Sequence, residues 1–529
     1  MRVRRAGDAA LLVAADGRAD ALAAAIVSQR YDGVLDVVPG ADTVLITTEP
    51  GRVDMAGLAE MVVALELPAT EPGAAALAEI PVVYDGPDLA EVARMTGLSP
   101  AEVVARHAAA EYRVGWLGFS PGLGYLTGLD RALAAVPRLA EPRVRVPAGS
   151  VAIAGGLATV YPTASPGGWR LLGRTSAALW DADRDPPALL APGMRVRFHA
   201  VDELPGGGME PSGPAGEAVG PDGPAGEVVG PGEVVGPGGV VEVIRPGPLA
   251  TVQDLGRPGY AHLGVPRSGS ADQASLRLAN RLVGNPDGAA GLELTLGRAV
   301  LRFTDATRVA VTGALAAVTV TGPDGVELAA EAGAALDVPA GALMRVGAPA
   351  VGLRTYVAVR GGIEVPLVLG SRSADVRSGL GPAPLRPGDL LPAGAPGPAP
   401  AAPPPTAPRA LPGAGQPAEL RVIPGPRDDW FAPGALDLLC GDTYVVTPAS
   451  DRTGLRLDGP VLPRARGDEL PSEGMVAGAL QVPPGGRPIL MLADHPATGG
   501  YPVIAVVASA DIGLAAQLRP GSKIKFVRV

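Results

Sequence analysis

Lysine is nearly absent from this chain: Lys523 and Lys525 are the only two, and both lie close to the C-terminus. A P-loop requires a lysine directly after its second glycine, so that class of nucleotide-binding site is excluded. A biotinyl-lysine carrier and a pyridoxal phosphate Schiff base are also disfavoured, because a C-terminal strand is a poor place for either. Any bound phosphate or carboxylate must therefore be held by arginine or by backbone N–H groups.

Cysteine, basic blocks and long apolar runs are also scarce. The single cysteine, Cys440, excludes an intramolecular disulfide and suits a reducing cytoplasm. The net charge is -10 with no basic block, which argues against a nucleic-acid partner. No apolar run approaches the roughly 18 residues of a membrane-spanning helix, and Asp8 and Asp16 interrupt the run after the basic N-terminus. We predict a cytoplasmic protein without a signal peptide or membrane partner.

The length of 529 residues, of which 47% are hydrophobic, predicts three or more domains with sizeable cores. Two segments dominated by glycine, proline and alanine contain no core-forming pattern and are predicted to be linkers. They separate a first block, made of an α/β domain and a β-barrel, from a second block made of two halves. The predicted domains are 1–79, 80–203, 240–390 and 418–529, and the predicted linkers are 204–239 and 391–417.

The stretch from Glu111 to Thr175 is rich in glycine and proline, with isolated polar side chains between short apolar runs. This pattern predicts loops of a small β-barrel that line a binding cleft. The alternative for each polar residue is that it only fixes a turn. His107, on a predicted helix beside this stretch, is more typical of a structural histidine than of a catalytic one. The candidate substrate- or ATP-binding residues here are Ser120, Ser150, Gly167, Gly168, Trp169, Arg174 and Thr175.

Two polar loops open the second block, TVQDLGRPGY and VPRSGSAD, and a helix is predicted over Gln273–Leu282. The free N–H groups at the start of that helix favour an anion, but a capping role for Ser270 or Asp272 is at least as good an explanation. A further polar loop contains LGSRS. The candidate binding residues of this region are Gln253, Asp254, Arg257, Ser268, Asp272, Ser371 and Arg372.

The last part of the chain contains DRTGLRL and DHPATGGYP. An aspartate next to a histidine, followed by a Thr-Gly-Gly turn, is the most catalysis-like local pattern in the sequence. Neighbours on a strand point to opposite faces, so a dyad would require a loop, and a structural network is the alternative. The catalytic candidates are Asp451, Arg452, Asp494 and His495, and the binding candidates are Arg456, Glu473, Thr498, Gly499, Gly500 and Tyr501.

The longer motifs resemble two known families. Residues 1–203 resemble the allophanate hydrolase subunit 1-like family, also called the B subunit of 5-oxoprolinase, through GFSPGLGYL, PRVRVPAGSVAIAGG and YPTASPGGWRLLGRT. Residues 240–529 resemble the subunit 2-like family, the C subunit of 5-oxoprolinase, through GPLATVQDLGRPGY, GVPRSGSAD and DHPATGGYP. The chain thus resembles a natural fusion of the two. The resemblance implies a mixed α+β, mainly β fold: a small N-terminal α/β domain followed by cyclophilin-like β-barrel domains.

The resemblance also implies an activity. Together with a separate 5-oxoprolinase A-type subunit, such proteins convert 5-oxo-L-proline, a lactam, to L-glutamate at the expense of ATP. Phosphorylation of the lactam oxygen would create a leaving group, and such a transfer depends on positioning and on charge stabilisation, normally with Mg²⁺. The expected cofactors are therefore ATP and Mg²⁺, and a homo-oligomer is left open. The arginines named above could stabilise charge, and the acidic residues proposed to hold the metal are Asp254, Asp272 and Glu473.

Two other functions compete with this one. The same pair of domains forms the carboxyltransferase part of urea carboxylase, which uses carboxybiotin and would here need partners in trans. Related paired proteins act without catalysis, one inhibiting a histidine kinase and the other antagonising that inhibitor. A fusion would hold inhibitor and antagonist together permanently, which disfavours the regulatory function. Co-purification with an A-type subunit or with a histidine kinase would distinguish them.

Overall fold

The computed structural model describes residues 1–67, 76–139, 141, 143–204, 239–330, 333–397, 410–413 and 415–529. Most of the two predicted linkers lies outside these residues. Strands far outnumber helices and form extended sheets and a closed barrel, so the predicted mainly β fold is confirmed. Within the described ranges, no helix is both long and apolar enough to cross a membrane.

The N-terminal unit is a four-stranded antiparallel sheet, in the order β1-β2-β4-β3, with two helices on one face. Successive side chains of each strand point to opposite faces of the sheet, and apolar residues on both faces are buried. Leu11 and Val13 pack under the helices, whereas Leu12 faces Ala261 and Val476 of the second block. The elements are β1 (Val3–Arg5), β2 (Ala10–Ala14), α1 (Ala19–Gln29), β3 (Val34–Pro39), β4 (Thr43–Thr48) and α2 (Met55–Val63).

The second unit is a seven-stranded sheet, in the order β12-β9-β10-β7-β6-β13-β5, with a two-stranded ribbon of β11 and β8. One face encloses an apolar core that includes Tyr112 and Phe198, and the other carries Trp116, Tyr125 and Trp169. The elements are β5 (Leu77–Val82), α3 (Leu89–Thr96), α4 (Pro100–Ala109), β6 (Tyr112–Leu117), β7 (Gly124–Thr127), β8 (Arg143–Val146), β9 (Ser150–Ala154), β10 (Leu157–Val160), β11 (Ser165–Gly167), β12 (Arg170–Arg174) and β13 (Arg195–Ala200).

Helix α4 has the N-terminus that its sequence predicts. Ser99 and Glu102 form a reciprocal capping box, and Pro100 occupies the first turn. The helix buries His107, whose Nδ1 lies 2.7 Å from the hydroxyl of Tyr84 and whose ring stacks on Phe198. Burial lowers the pKa of His107 to about 3. The histidine is therefore a neutral core residue, as its isolation in the sequence indicates.

The third unit packs a six-stranded sheet, β20-β19-β22-β17-β14-β24, against a five-stranded sheet, β15-β16-β23-β18-β21, around one apolar core. Helix α5 lies against β18 and β23. The elements are β14 (Val240–Arg245), β15 (Leu249–Gln253), α5 (Gln273–Val283), β16 (Gly291–Thr295), β17 (Ala299–Phe303), β18 (Thr307–Leu315), β19 (Val318–Thr321), β20 (Glu327–Ala330), β21 (Ala335–Val338), β22 (Leu343–Val346), β23 (Val351–Val359) and β24 (Leu390–Pro392).

The fourth unit is a closed barrel in the order β25-β32-β29-β30-β27-β26-β33, in which β25 and β33 are parallel. A two-stranded ribbon, β28 and β31, extends from it and contacts β3 and β4 of the N-terminal sheet. The elements are β25 (Ala418–Pro424), α6 (Ala435–Gly441), β26 (Thr443–Val446), β27 (Gly454–Asp458), β28 (Glu473–Gly474), β29 (Ala479–Gln481), β30 (Ile489–Met491), β31 (Thr498–Gly499), β32 (Val503–Val507), α7 (Ser509–Ala515) and β33 (Lys523–Arg528).

Polar contacts surround the apolar interface between the N-terminal sheet and the second block. Arg4 pairs with Asp429 at 3.0 Å, and the hydroxyl of Ser509 donates to Asp8 at 2.7 Å. Asp36 accepts the backbone N–H groups of Gly259 and Ala261 at 2.9 and 3.0 Å. The N-terminal unit is thus fixed to the block that is distant from it in sequence.

Candidate active site between the two blocks

The two blocks meet at a junction of four loops, residues 118–123 of the first block and residues 253–272, 371–381 and 494–498 of the second. The N–H of Phe119 donates to the hydroxyl of Thr498 at 2.9 Å, and the guanidinium of Arg377 lies 5.1 Å from the centre of the Phe119 ring. Gly118 permits this approach, because a Cβ there would lie 2.6 Å from Cγ2 of Thr498. We call this region the interblock junction.

Two non-glycine residues at the interblock junction have left-handed backbone conformations. Phe119 has a φ of 64° and Ser268 a φ of 52°. Such conformations are unfavourable for residues with a Cβ and persist where the surroundings enforce them, often at ligand-binding sites. The two loops that meet here therefore carry a signature typical of a functional site.

Several buried polar atoms at the interblock junction have no hydrogen-bond partner among the described residues. They are the hydroxyls of Ser120, Ser268 and Ser270 and the Nη1 atom of Arg257. Buried polar groups are nearly always hydrogen-bonded, and an unmade bond costs about 1–3 kcal/mol. Four such groups on loops that meet indicate that the junction is built to receive a polar ligand or ordered water.

Arg257 is the largest of the fully buried side chains. Its other nitrogens donate to main-chain carbonyls, Nε to Val368 at 3.4 Å and Nη2 to Ser373. No carboxylate among the described residues forms an ion pair with it. Burial lowers the pKa of Arg257, although Asp375, Asp254 and Asp494 oppose that effect. A cation that is buried without a direct counter-ion can accept an anionic ligand.

Arg452 and Asp494, both predicted as catalytic, instead belong to a buried network that joins the two halves of the second block. The Arg452 guanidinium binds both oxygens of Asp494, at 2.8 and 3.0 Å, and also contacts Glu293 and the carbonyl of Gly269. Arg354 continues the network, with its Nε 3.4 Å from Glu293. The four charges alternate in sign, so the network is formally neutral.

The two carboxylates of this network have opposite pKa shifts because their surroundings differ. Burial raises the pKa of Asp494, and Arg452 offsets that effect only in part while Asp375 and Glu293 add to it. Burial acts in the same direction on Glu293, but Arg452, Arg354 and the N–H of Ala271 outweigh it and lower the pKa. Glu293 is therefore the better-stabilised anion of the pair.

His495 does not form a dyad with its neighbour Asp494, whose two oxygens are bound by Arg452. Its Nδ1 lies 2.9 Å from the carbonyl of Pro496. A carbonyl only accepts, so Nδ1 carries the proton and Nε2 of the neutral ring keeps its lone pair. Burial lowers the pKa of His495 to about 4, and Arg377 contributes to the lowering. The ring is thus held as a neutral acceptor near a cation.

This histidine makes the stability of the chain depend on pH in a predictable direction. The pKa is about 4 in the folded chain and about 6.5 when unfolded, so the unfolded chain takes up the proton first as the pH falls. Stability is therefore lost as the pH falls from about 6.5 toward 4. We expect His495→Gln to reduce the stability loss between pH 7 and 5 by about 2 kcal/mol. Urea unfolding of the wild type and the variant at pH 7 and at pH 5 measures this difference in stability loss.

Replacement of the exposed His199 by Gln controls for the loss of an imidazole elsewhere in the chain. An unchanged loss of stability between pH 7 and 5 in His495→Gln would contradict the assignment of His495 as a buried neutral ring.

The predicted binding residues Asp254, Ser371 and Arg372 lie together in the structure, where they form hydrogen bonds with one another. Asp254 accepts hydrogen bonds from the hydroxyls of Ser371 and Ser373 and from the N–H of Arg372 at 2.7 Å. The side chain of Arg372 pairs with Glu364 at 2.6 Å. Gln253 donates to Thr251 and to the carbonyl of Ala374 from the same buried layer. Asp254 therefore organises the loops that carry Arg257 and Arg377.

The proposed metal-holding set of Asp254, Asp272 and Glu473 is not brought together. Asp272 caps α5, accepting from the N–H and hydroxyl of Ser275 at 3.3 and 2.6 Å. Glu473 binds Arg427 twice, at 2.9 and 2.7 Å, beneath the N-terminal sheet. Across the described ranges, no group of three or more His, Cys, Asp or Glu side chains is arranged to hold a metal ion. That hypothesis is corrected: the three carboxylates organise separate parts of the fold.

Among the candidates in the first block, Ser120 lies at the interblock junction, where its carbonyl packs against Gly264. Ser150 and Thr175 fix turns, with the Ser150 hydroxyl 2.8 Å from the carbonyl of Pro147 and the Thr175 hydroxyl accepting from Ala177 at 3.1 Å. Arg174 pairs with Asp85 at 2.8 Å in solvent. For Ser150 and Thr175, the turn-fixing alternative describes their contacts.

The remaining glycine and aromatic candidates of the first block lie on the aromatic face of its sheet. Trp169 packs on Tyr125, and a Cβ at Gly167 would lie 2.9 Å from Cζ of Tyr161. Gly168 accepts the N–H of Leu139 at 2.7 Å through its carbonyl. These contacts complete a packed face rather than an open pocket.

The remaining candidates of the last unit are dispersed. Asp451 caps a turn by accepting from Thr453 at 2.7 Å, and Arg456 is exposed on β27. Gly499 pairs with Glu473 in the ribbon, and the Tyr501 carbonyl accepts from Gln481 at 3.2 Å. A Cβ at Gly500 would lie 3.2 Å from the Arg138 guanidinium of the first block.

Sequence reasoning missed Phe119, Glu293, Arg354 and Arg377. Glu293 carried a misleading signal, because the Leu-Glu-Leu alternation of β16 is typical of a strand whose acidic side chain faces solvent. Arg377 carried no signal of a role at the site, since a lone arginine in a loop is ordinarily solvated.

Comparisons with known proteins agree with this architecture. The family model of the carboxyltransferase domain, subdomains A and B, matches residues 263–528, and that of subdomains C and D matches residues 1–190. The 5-oxoprolinase C subunit of Escherichia coli (strain K12) is 36% identical over 292 residues, which cover 55% of this chain and 91% of that protein. The 5-oxoprolinase B subunit of Escherichia coli O157:H7 is 56% identical over 123 residues, which cover 23% of this chain and 56% of that protein.

Two further relatives bear on the fold and on the function. The urea amidolyase of Lachancea kluyveri is 35% identical over 315 residues, which cover 54% of this chain and 17% of that protein. The crystal structure of TTHA0988 superposes with a TM-score of 0.82 at 36% identity and covers 99% of this chain and 100% of that one. The chain therefore belongs to the carboxyltransferase domain family and joins, in one polypeptide, regions similar to the B and C subunits of 5-oxoprolinase.

Proposed function

We propose that this chain is a component of an ATP-dependent 5-oxoprolinase, which acts with a separate A-type subunit to convert 5-oxo-L-proline to L-glutamate. The relatives of both blocks are named as parts of that enzyme. The observation that carries the proposal is the interblock junction, where the B-like and C-like regions together bury unpaired donors. A site that needs both regions explains why the two occur together.

In this proposal the residues of the chain bind and orient the lactam and exclude water from it. Arg257, buried without a counter-ion, favours an anionic or strongly polarised ligand. The hydroxyls of Ser120, Ser268 and Ser270 provide donors to a carbonyl oxygen on which charge develops. The neutral His495 holds a proton on Nδ1 and presents Nε2 as an acceptor.

The nucleotide and its metal are part of the proposed reaction, but the acidic residues of this chain fit them poorly. Mg²⁺ is usually held by one or two carboxylates together with phosphate oxygens and water. Asp254, Asp272 and Glu473 are already bound by other protein groups and lie in different parts of the fold. We therefore derive no step through the metal or the nucleotide.

The decisive test is release of glutamate from 5-oxo-L-proline with Mg-ATP, measured with the full chain and an A-type subunit, together and separately. We expect glutamate only when both proteins are present, because the chain carries no P-loop and the acidic residues in its described ranges offer no metal cage. Absence of glutamate with an A-type subunit that is active with other B and C subunits would contradict the proposal.

A carboxyltransferase function is the second candidate, favoured by the similarity to urea amidolyase. Such a reaction needs a biotinyl-lysine, and the only lysines here lie on β33 at positions 523 and 525. Carboxylation of urea by the chain with an added biotin-carboxylase and carrier protein, without glutamate release in the first assay, would support this candidate instead.

A further inference from the structure

At the interblock junction, the side chain of Arg377 reaches from the second block to a ring of the first. Its guanidinium lies over Phe119 and, among the residues described, forms no ion pair and no side-chain hydrogen bond. Burial lowers its pKa, opposed by Asp375, Asp451 and Asp494. The arginine is thus half-buried without a direct partner.

The neighbouring carboxylates cannot easily neutralise it. Both oxygens of Asp494 are bound by Arg452. Asp375 accepts from the hydroxyl of Ser378 and from the backbone N–H groups of Arg377 and Ser378. The carboxylate closest in sequence therefore orients the loop of Arg377 through its main chain and leaves the guanidinium free for a ligand.

The backbone of Phe119 is held by a hydrogen bond to the second block. Its φ of 64° is enforced by the hydrogen bond from its N–H to Thr498, and the hydroxyl of that threonine lies on the buried ribbon of the last unit. A cation over an aromatic face is attracted by the negative face of the ring, and more strongly when water is excluded. The ring therefore defines where the Arg377 guanidinium sits, and it can do so only when the two blocks are docked.

We infer that Arg377 binds the carboxylate of the substrate and that Phe119 is the residue that positions it. This inference rests on the proposed function and deepens it, since it assigns the carboxylate end of the substrate to one side chain. Guanidinium and carboxylate are complementary in shape and form paired hydrogen bonds. The ligand class is a cyclic amide that carries a carboxylate next to its ring nitrogen.

The test compares two ligands that differ only in that carboxylate, 5-oxo-L-proline and 2-pyrrolidinone. Binding to the full chain, alone and with the A-type subunit, is measured by calorimetry. We expect Arg377→Ala to weaken binding of 5-oxo-L-proline roughly 10- to 100-fold, as for loss of a charged hydrogen-bonded pair. Binding of 2-pyrrolidinone should be unchanged. Arg466→Ala is the matched control, since that arginine lies over Trp430 at 5.5 Å, on an exposed loop of the last unit.

Phe119 is tested by variants with and without an aromatic ring. We expect Phe119→Leu to raise the KM for 5-oxo-L-proline roughly 3- to 10-fold with little change in kcat, and Phe119→Trp to restore it. A merely structural role would lower kcat and stability together in both variants.

Several outcomes would overturn the inference. One is equal weakening of both ligands by Arg377→Ala, and another is unchanged binding of 5-oxo-L-proline. A wild-type chain that binds the two ligands equally would overturn it too, even if glutamate is released. Conversely, selective binding of 5-oxo-L-proline without glutamate release would support the inference and contradict the proposed reaction.

Discussion

Replacement of Arg452 by Met is expected to lower the free energy of unfolding of the second block by about 3–5 kcal/mol. The substitution leaves Glu293 and Asp494, which are 1% and 2% exposed, buried without their shared cation. Removal of one partner of a buried pair is far more costly than removal of a surface partner, because the remaining charge cannot be solvated. Urea unfolding followed by the fluorescence of Trp430, in the core of the last barrel, measures the loss.

Two matched variants make the cause of that loss testable. Arg52→Met removes an exposed arginine that pairs with Glu49 and Asp32, and should leave the free energy of unfolding nearly unchanged. The double variant Arg452→Met with Asp494→Asn removes the stranded charge of Asp494 and leaves Glu293 paired with Arg354, so it should regain about half of the lost stability or more. If Arg452→Met unfolds like the wild type and only turnover is lost, the arginine acts on the substrate and our structural assignment fails.

Replacement of Gly264 by Ala is expected to separate the two blocks at the site. Gly264 has a φ of 79°, and a Cβ there would overlap the carbonyl oxygen of Ser120 and lie 2.9 Å from its carbonyl carbon. Both contacts are with backbone, which cannot rotate away. A shift of about 1 Å at a reacting centre can cost roughly 100-fold in rate, so glutamate release with the A-type subunit should fall by at least about tenfold.

Gly259 on the same loop provides the control. It has a φ of 92°, but a Cβ there meets no atom within 4 Å. Alanine at either position adopts an unfavourable left-handed conformation at a cost of about 1–2 kcal/mol, whereas only the Cβ added at Gly264 clashes with atoms of the first block. Equal losses of activity in the two variants would mean that backbone strain, and not separation of the blocks, is responsible.

Individual elements are well predicted from the sequence where the signal is local. Helix α5 is expected over Gln273–Leu282 and spans Gln273–Val283. Caps, glycines and periodic apolar residues lie within one turn of the boundary they define, so they can be read from one segment. Capping of α5 by Ser270 or Asp272 is one of the alternatives that the sequence leaves open, and the structure has Asp272 as the cap.

The candidate site depends on contacts between distant segments, and there the prediction is partial. DHPATGGYP is recognisable as polar and turn-rich, but it does not show that Asp494 pairs with Arg452, which also contacts Glu293, 159 residues before it. Phe119 and Thr498 are 379 residues apart and meet only after both blocks have folded. Pairing of this kind follows from packing, which no local pattern encodes.

The second face of the N-terminal sheet bears on how the chain is synthesised. Ala6, Leu12 and Leu45 on that face pack against Val476 and Ala261. A ribosome that adds about 5–20 residues per second needs roughly 20 to 90 s to travel from the end of this sheet to Val476. During that interval the nascent sheet presents an apolar surface whose cover has not yet been made. Where relatives divide these residues between two polypeptides, the same surface would wait for a diffusing partner, so fusion replaces a concentration-dependent search with a delay set by translation.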